Sequence, residues 1–351
     1  MHTKRNDVLD MTMPPNMMTE GFAGNRAFDR VAFPAMSVVM PTHKRPEALR
    51  RTLLEIARQA GERPEMEVIV CDDGSGDETI RVLQEAAGKE DVALAWISLP
   101  RSGGPAVARN HALRLARGRA ILLLGDDIVP GPGLLQRHLR FHEEHPGDAA
   151  ALLGYTTWPT EMAVTPFMKF LEGAGRAYFF AYPDLPPGKV VSGMYFYTCN
   201  VSFKRALCER AGVFDEQFPF ASHEDLEFGL RLERTGMQLV YDPDAIGYHW
   251  HHLDLAGTVR RVYRMGHSAV LFWEKTGEQG SRTKRSARAL LGMIAGLAIV
   301  RSVFVALMGR WADNPARWLL LLHAVYWFGY ADGRRRRTDA LLLNYGNARG
   351  G

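Results

Sequence analysis

The stretch AILLLGDDIVP, residues 120–130, decides how the rest of the chain is read. Ile121, Leu122, Leu123 and Leu124 are four apolar residues in a row and predict a buried strand. They run directly into Gly125-Asp126-Asp127. Two adjacent carboxylates at the end of an apolar strand are costly to bury unpaired. Hard divalent cations take oxygen ligands of this kind, and a phosphorylated ligand supplies others. The pair therefore reads as a place where a metal meets such a ligand. The competing reading is a solvated turn, with Asp126 and Asp127 opening the next helix.

Upstream, short apolar runs alternate with helical patterns. Residues 35–40 (AMSVVM), 67–71 and 93–99 predict strands. Residues 46–59, 77–87 and 105–117 predict helices, the first with Pro46 in its opening turn and Gly61 just past its end. This alternation indicates a parallel α/β sheet, in which ligands bind beyond the carboxyl ends of the strands. The polar turns gather on that rim. Pro41, Thr42 and the loop His43-Lys44-Arg45 follow the first strand, and Asp72-Asp73-Gly74-Ser75-Gly76 the second. Arg101-Ser102-Gly103-Gly104 follows the third, and Asp126-Asp127 the fourth. Four such turns on one rim favour a shared ligand over an isolated solvated turn. Asp73 is a candidate acceptor for a base N–H. Gly103-Gly104 before Pro105 would turn backbone N–H groups and a helix dipole toward an anion. Arg109, one turn into that helix, is either a phosphate contact or a solvated helix arginine. No GxGxxG follows the first strand and no GxxxxGK[ST] occurs, so neither dinucleotide nor P-loop chemistry is indicated.

Beyond residue 135 the regularity ends. Residues 149–154 and 240–247 predict strands, residues 192–203 are strand-like, and residues 204–211 predict a short helix. Residues 156–189, rich in Pro, Gly and aromatics, read as an irregular loop that shapes a pocket. Residues 220–232, FASHEDLEFGLRL, predict a helix capped by Ser222 with Asp225 at its third position. Glu224, Asp225 and Glu227 crowd a helix start, where the dipole favours negative charge. They either cap the helix or supply a general base. His249, His251 and His252 follow the last strand, as ligands completing an oxygen-rich metal site or as surface polar residues.

Composition sets the outer bounds. A chain of 351 residues with 46% hydrophobic content holds one large domain or two modest ones. The formal charge is +4 with plentiful acids, and the pI is about 9.0, a balance that does not argue for nucleic acid. Cys71, Cys199 and Cys208 form no CxxC pair, which fits a reduced cytosolic setting. Residues 1–20 carry no apolar core of secretory type and read as a loose leader. Near the other end, residues 286–308 and 318–330 are apolar and residues 334–337 are RRRR. The first run approaches the roughly 20 residues that span a bilayer, but Arg301 lies inside it. An arginine at mid-bilayer costs about 2.5–3.5 kcal/mol on the insertion scale. Two helices lying in the cytoplasmic leaflet, helped by the basic tail, are the expectation. Spanning helices and a buried helical hairpin are the alternatives.

Taken together, these stretches resemble the family 2 glycosyltransferases of the GT-A fold over residues 36–266. The resemblance rests on VVMPTHKRPE, VIVCDDGSGDET, GGPAVARNHAL, ILLLGDDI, CNVSFKRA, FDEQF, HEDLEFGLRL and the histidines after DPDAIGY, in that order. It implies a Rossmann-like α/β domain with a mostly parallel central sheet at residues 35–275. A leader at 1–34 would precede it, and apolar helices with a basic tail at 276–351 would follow. It implies inverting transfer of a sugar from a nucleotide-sugar, by expectation a UDP-sugar, to a hydroxyl of a glycan or lipid-linked acceptor, with Mn2+ or Mg2+ as cofactor. The place of action would be the cytoplasm, at the inner face of the cell membrane.

Residue by residue, the resemblance implies that Thr42 lines the nucleoside pocket and that Asp73 is the base-binding carboxylate. Pro41, Arg45 and Arg109 join them in the nucleotide-sugar site. Asp127 is the direct metal ligand, with Asp126 nearer the ribose. Asp225 is the catalytic base, with Glu224 beside it in the acceptor site. His249 closes on the metal–diphosphate, and His251 is its alternative. Where the family motif often carries an extra acid, this chain has Gly125. A nucleotidyltransferase would have no need of the Asp225 and histidine motifs. A catalytically silent binder would not keep every expected carboxylate. A processive synthase is disfavoured because no QxxRW motif and no array of long apolar spans occurs.

Overall fold

Strands that are apolar along their whole length belong in a sheet covered on both faces. In the computed structural model, β2 (Met36–Thr42), β3 (Met66–Asp72), β4 (Ala93–Ser98) and β5 (Ala120–Leu124) are such strands, almost wholly buried and mutually parallel in the order β4-β3-β2-β5. The structure describes residues 21–60, 65–277 and 314–345, with 288, 291–297, 299, 300, 302–304, 307 and 312 between them. Helices α2 (Pro46–Ala60), α3 (Asp77–Lys89) and α4 (Pro105–Leu115) make the crossovers. Leu49, Leu53 and Ile56 of α2 pack with Val38, Met40, Val68 and Leu122 of the strands in one apolar core. This is the mixed α/β architecture, with a mostly parallel central sheet, that the alternation predicts.

The sheet continues past β5 with β9 (Asn200–Lys204), β7 (Ala150–Thr157), β10 (Gln238–His249) and β6 (Ile128–Pro130), and β8 (Val190–Val191) adds to β10. Here the sequence reading needs amendment. Residues 128–130 form a strand, and β10 runs past residue 247 to His249. Of residues 192–203, only the last four are extended, because a 3-10 turn occupies Gly193–Tyr195. Within the supposed leader, β1 (Phe22–Gly24) pairs antiparallel with β4, and α1 (Arg26–Arg30) is capped by Asn25. Residues 1–20 lie outside the described residues.

The chain divides into two units. The first comprises Met1–Met162, Asp184–Glu216 and Phe228–His251, and so holds the whole sheet. The second comprises Ala163–Pro183, Gln217–Glu227 and His252–Gly351. The division differs from a boundary at residue 275, since α9 (Leu255–Thr276) belongs with the C-terminal part. In this second unit α9 packs on α10 (Trp318–Arg334) through glycines. A Cβ at Gly266 would run into the Tyr326 carbonyl, and one at Gly329 into the Tyr263 carbonyl. Asp332 of α10 is fully buried and accepts from Tyr263 Oη at 2.8 Å and Arg337 Nε at 2.9 Å. Among the described residues no helix is long and apolar enough to cross a membrane. Arg301 and parts of the run 286–308 lie outside the described residues.

A buried polar chain ties α5 (Leu134–Glu144) to β9. His138 Nε2 reaches Asn200 Oδ1 at 3.0 Å, and its Nδ1 reaches Ser202 Oγ at 2.7 Å. His142 Nε2 joins the same Ser202 hydroxyl at 2.8 Å. Asn200 Nδ2 donates to the Tyr155 and Ala245 carbonyls, so its Oδ1 is the atom turned to His138, and His138 donates from Nε2. Burial pushes His138 down to about 4 and His142 down to about 3. Unfolded histidines protonate near 6.5. Between those values the unfolded chain binds the protons and the folded chain does not, so stability falls as pH falls. Each ring contributes up to about 1.4 kcal/mol per pH unit. Urea unfolding is expected to lose a few kcal/mol between pH 7 and pH 5, and a change below about 1 kcal/mol would refute a neutral buried pair.

Candidate active site at the carboxyl rim of the sheet

The parallel strands end together, and their turns are knitted to one another. Asp73 N donates to the Thr42 carbonyl at 2.9 Å, and His43 Nδ1 donates to the Asp73 carbonyl at 2.7 Å. Lys44 N donates to Ser75 Oγ at 2.8 Å, and Ser75 N to Asp72 Oδ1 at 3.0 Å. Gly74, at φ +70°, lies where a Cβ would sit 2.8 Å from Arg101 C and Ser102 N. Only glycine lets these two turns approach so closely. The approach brings the Asp73 carboxylate onto the Gly-rich turn. It accepts from Gly103 N at 2.7 Å, Gly104 N at 2.9 Å and Ser102 Oγ at 2.6 Å. The anion that the glycine amides face is therefore the chain's own Asp73. A carboxylate offers about four acceptor sites, and three are engaged here.

Asp126 and Asp127, both buried, follow β5. Thr42 Oγ1 donates to Asp126 Oδ2 at 2.8 Å, and Thr52 Oγ1 of α2 donates to the Asp126 carbonyl at 2.8 Å. Arg45 Nη1 donates to Asp127 Oδ2 at 2.7 Å and to Asp126 Oδ1 at 3.3 Å. His249 Nε2 lies 3.4 Å from the same Asp127 Oδ2, with the His251 ring stacked on it at 5.7 Å between centroids. Strand β6 explains that meeting. It pairs antiparallel with β10 so that His249 stands opposite Ile128, the residue after Asp127, and Trp250 N donates to the Asp127 carbonyl at 2.8 Å.

The two carboxylates differ in their charge balance. Burial and the neighbouring Asp127 push Asp126 up to about 6, against the pull of Arg45 and Thr42. Burial also opposes ionisation of Asp127, but its hydrogen bond to His249, with His249, Arg45 and His251 as charge partners, holds it below the usual carboxylate range. Gly125 has no space for the extra acid of the family motif. A Cβ there would lie 2.9 Å from Ile128 Cγ1 and 3.0 Å from Asp127 Oδ1. No group of three His, Cys, Asp or Glu ligands forms among the described residues. Asp127 and His249 supply one oxygen and one nitrogen. Two protein ligands suit a divalent cation that completes its shell from a diphosphate and water.

The structure thus gathers Thr42, Arg45, Asp126, Asp127 and His249, with Pro41 at the end of β2. The Arg109 guanidinium of α4 lies 5.4 Å from the Phe214 ring centroid. Glu224 and Asp225 belong to the second unit. The helix α8 (Glu224–Arg234) starts at Glu224, so Asp225 holds its second position and not its third. Ser222 does not cap it as expected, because its hydroxyl pairs with His223 Nδ1 at 2.9 Å. His223 sits at φ +70°, a left-handed conformation that costs a non-glycine residue about 1 kcal/mol or more. Asp225 Oδ1 accepts from Leu226 N at 2.9 Å. Thr52 is a site residue that sequence reasoning missed, and its apolar helical neighbours hid it.

Residues 37–157 match the family described as Glycosyl transferase family 2. Over those residues the chain is similar to the family 2 glycosyltransferases. Validoxylamine A glucosyltransferase of Streptomyces hygroscopicus subsp. jinggangensis (strain 5008) is 30% identical over 239 residues, 62% of this chain and 56% of that protein. An uncharacterized glycosyltransferase of Bacillus subtilis (strain 168) is 27% identical over 262 residues, 62% of this chain and 64% of that protein. The chain thus spans less than two thirds of either relative. Among solved structures, a mannosyltransferase from Pyrobaculum calidifontis in complex with GDP-Man and Mn2+ shares the fold, at 18% identity and TM-score 0.58 over 90% of each chain.

If Asp73 anchors the Gly-rich turn, its loss weakens the fold and not ligand binding alone. Asp73→Ala leaves two amide donors and a hydroxyl without their acceptor, which costs about 1–3 kcal/mol. Urea unfolding should register that loss, and unchanged stability would confine Asp73 to ligand recognition.

Proposed function

We propose that the protein transfers a sugar from a nucleoside-diphosphate sugar, a UDP-sugar by preference, to a hydroxyl of a glycan or lipid-linked acceptor, with inversion and with a divalent cation. One observation carries this reading. Asp127 and His249 converge on one point of a rim whose other turns hold Thr42, Arg45 and Asp73. The Streptomyces relative is a glucosyltransferase by name, and the mannosyltransferase of like fold was solved with GDP-Man and Mn2+. Both names suit a hexosyl donor here, and the second suits a divalent cation.

In this reading Thr42 and Asp126 hold the nucleoside end of the donor, beside Pro41 and the Asp73 turn, and Arg109 serves its phosphates. Asp127 and His249 would hold Mn2+ or Mg2+, which would supply charge neutralisation for the leaving diphosphate. Glu224 orients the acceptor. Asp225 takes the proton of the acceptor hydroxyl. The acceptor oxygen forms its bond to the anomeric carbon from the face opposite the diphosphate. The bond to the diphosphate oxygen breaks, and its electron pair leaves with that oxygen. One displacement at one carbon gives inversion and needs no covalent enzyme intermediate. Incubation with a panel of nucleotide-sugars and Mn2+ tests donor cleavage, and NTP with sugar phosphate tests the nucleotidyltransferase alternative. Asp225→Asn should keep donor binding and lose at least about 10²-fold in turnover. Near-normal turnover would remove Asp225 from the role of base.

The second unit supports a lipid surface as partner. Met293, Ile294, Leu297, Ile299, Val303 and Leu320 are exposed apolar side chains, and Arg334, Arg335 and Arg336 are exposed nearby in sequence. Apolar side chains enter the leaflet interface, and each basic residue near an anionic surface adds about 1 kcal/mol. This reading puts the protein in the cytoplasm at the inner membrane face. Sedimentation with phosphatidylglycerol vesicles should fall when Arg334, Arg335 and Arg336 are changed to Gln, and fall further with Leu320→Glu. Equal sedimentation of wild type and variants would remove the membrane from the reading.

A further inference from the structure

We propose that Arg45 is the resident counter-cation of the Asp126–Asp127 pair, and that a divalent cation entering the site must displace it. The inference rests on the reading above in one respect, that the pair receives such a cation. Arg45 Nη1 lies 2.7 Å from Asp127 Oδ2, and that same oxygen is the one His249 Nε2 approaches at 3.4 Å. A cation held between Asp127 and His249 would need this oxygen, and a positive group of the chain already occupies it. Arg45 also reaches Asp126 Oδ1 at 3.3 Å, so one guanidinium serves both carboxylates. Two buried neighbouring negative charges would otherwise repel strongly. A guanidinium stays charged at every pH a protein meets, so its compensation does not lapse.

The geometry also allows release. The Arg45 side chain is 47% exposed, whereas those of Asp126 and Asp127 are 7% and 11% exposed. The guanidinium can swing into water while the carboxylates stay in place. Its backbone is held on both sides. Lys44 N is tied to Ser75 Oγ at 2.8 Å, and the Arg45 carbonyl accepts from Leu49 N at 3.0 Å in the first turn of α2. Displacement is therefore a side-chain event that leaves the loop and helix unchanged. In the absence of a cation Arg45 protects the fold from two uncompensated charges. In its presence Arg45 competes, and it lowers the affinity of the donor-free protein for the cation.

The test uses Mn2+ alone, without nucleotide. Free Mn2+ is followed by its electron paramagnetic resonance signal in titrations of wild type, Arg45→Gln and Arg51→Gln. Arg51 is the control, a neighbouring arginine that stacks 3.9 Å from the Trp250 ring centroid and carries the same charge. Arg45→Gln should bind Mn2+ about tenfold more tightly than wild type, and Arg51→Gln should stay within about twofold. Mn2+ should also raise the melting temperature of Arg45→Gln more than that of wild type. Unchanged or weaker Mn2+ binding by Arg45→Gln overturns the proposal and leaves the metal-dependent reading standing. No Mn2+ binding by any of the three proteins overturns the proposal, and the same titration repeated with UDP decides the metal-dependent reading, which falls if Mn2+ still does not bind. If Arg45→Gln does not fold, the wild type decides. Its Arg45 Nε–H resonance, assigned by its loss in Arg45→Lys, should shift on titration with Mg2+ in step with saturation. A resonance that stays fixed overturns the proposal.

Discussion

Two carboxylates buried side by side must be neutralised where they stand, and the carboxyl rim of this sheet is arranged around that requirement. Asp126 draws Thr42 from the end of β2 and Thr52 from α2. Asp127 draws His249 from the end of β10, and its carbonyl takes Trp250 N. Arg45 joins the two acids. Elements far apart in sequence therefore meet at one turn because charge left alone there would cost several kcal/mol. The same neutralisation separates the two acids chemically. Burial and the neighbouring Asp127 push Asp126 up against the pull of Arg45 and Thr42, while burial of Asp127 is outweighed by His249, Arg45 and His251, which hold it down.

The position of His249 depends in turn on a defect in the sheet. Strand β10 pairs in parallel with β7, but its register shifts between Asp242 and Ile246. A bulge leaves carbonyls without ladder partners, and here those of Ala245 and Ile246 find them elsewhere. Asn200 Nδ2 takes the Ala245 carbonyl at 2.9 Å, and Gly131 N takes the Ile246 carbonyl at 2.8 Å. Glycine at 154 is required beside Asn200, since a Cβ there would strike the amide. Asn200 is itself held by His138, and His138 by Ser202. A buried polar chain behind the sheet thus fixes the bulge, and the bulge sets the register by which β10 delivers His249 to Asp127.

What the sequence disclosed follows from which interactions are local. The alternation of apolar runs with helical patterns showed the parallel half of the sheet, and the acids at the strand ends marked the rim, because period and turn chemistry are written in neighbouring residues. Strand β6 was missed because Ile128, Val129 and Pro130 become a strand only when β10 pairs with them from over a hundred residues away. The glycine turn was read correctly as an anion site, but its anion is Asp73, which only the close approach at Gly74 reveals. Ser222 looked like a cap by spacing, yet the left-handed His223 moves the helix start to Glu224. Asn25 hid a cap and an edge strand inside a stretch of unremarkable composition, since its carboxamide works across the sheet, taking Leu94 N at 3.1 Å and giving to the Val92 carbonyl at 2.8 Å.

The second unit shows why an apolar run is ambiguous between core and lipid. A helix apolar around its whole circumference is buried somewhere, but composition does not say in what. Along α10 the question is answered differently at its two ends. Toward its C-terminus, Gly329 and Gly333 let the α9 backbone come close, and the buried Asp332 is satisfied by Tyr263 and Arg337. A carboxylate placed this way belongs to a protein interior, because in hydrocarbon it would need the same partners and would gain nothing from the lipid. Near its start, Leu319 and Leu320 are exposed, and no helix partner takes their place among the described residues. Packing on α9 therefore accounts for the glycines and the aspartate of this helix, while at its other end Leu319 and Leu320 face outward among the described residues.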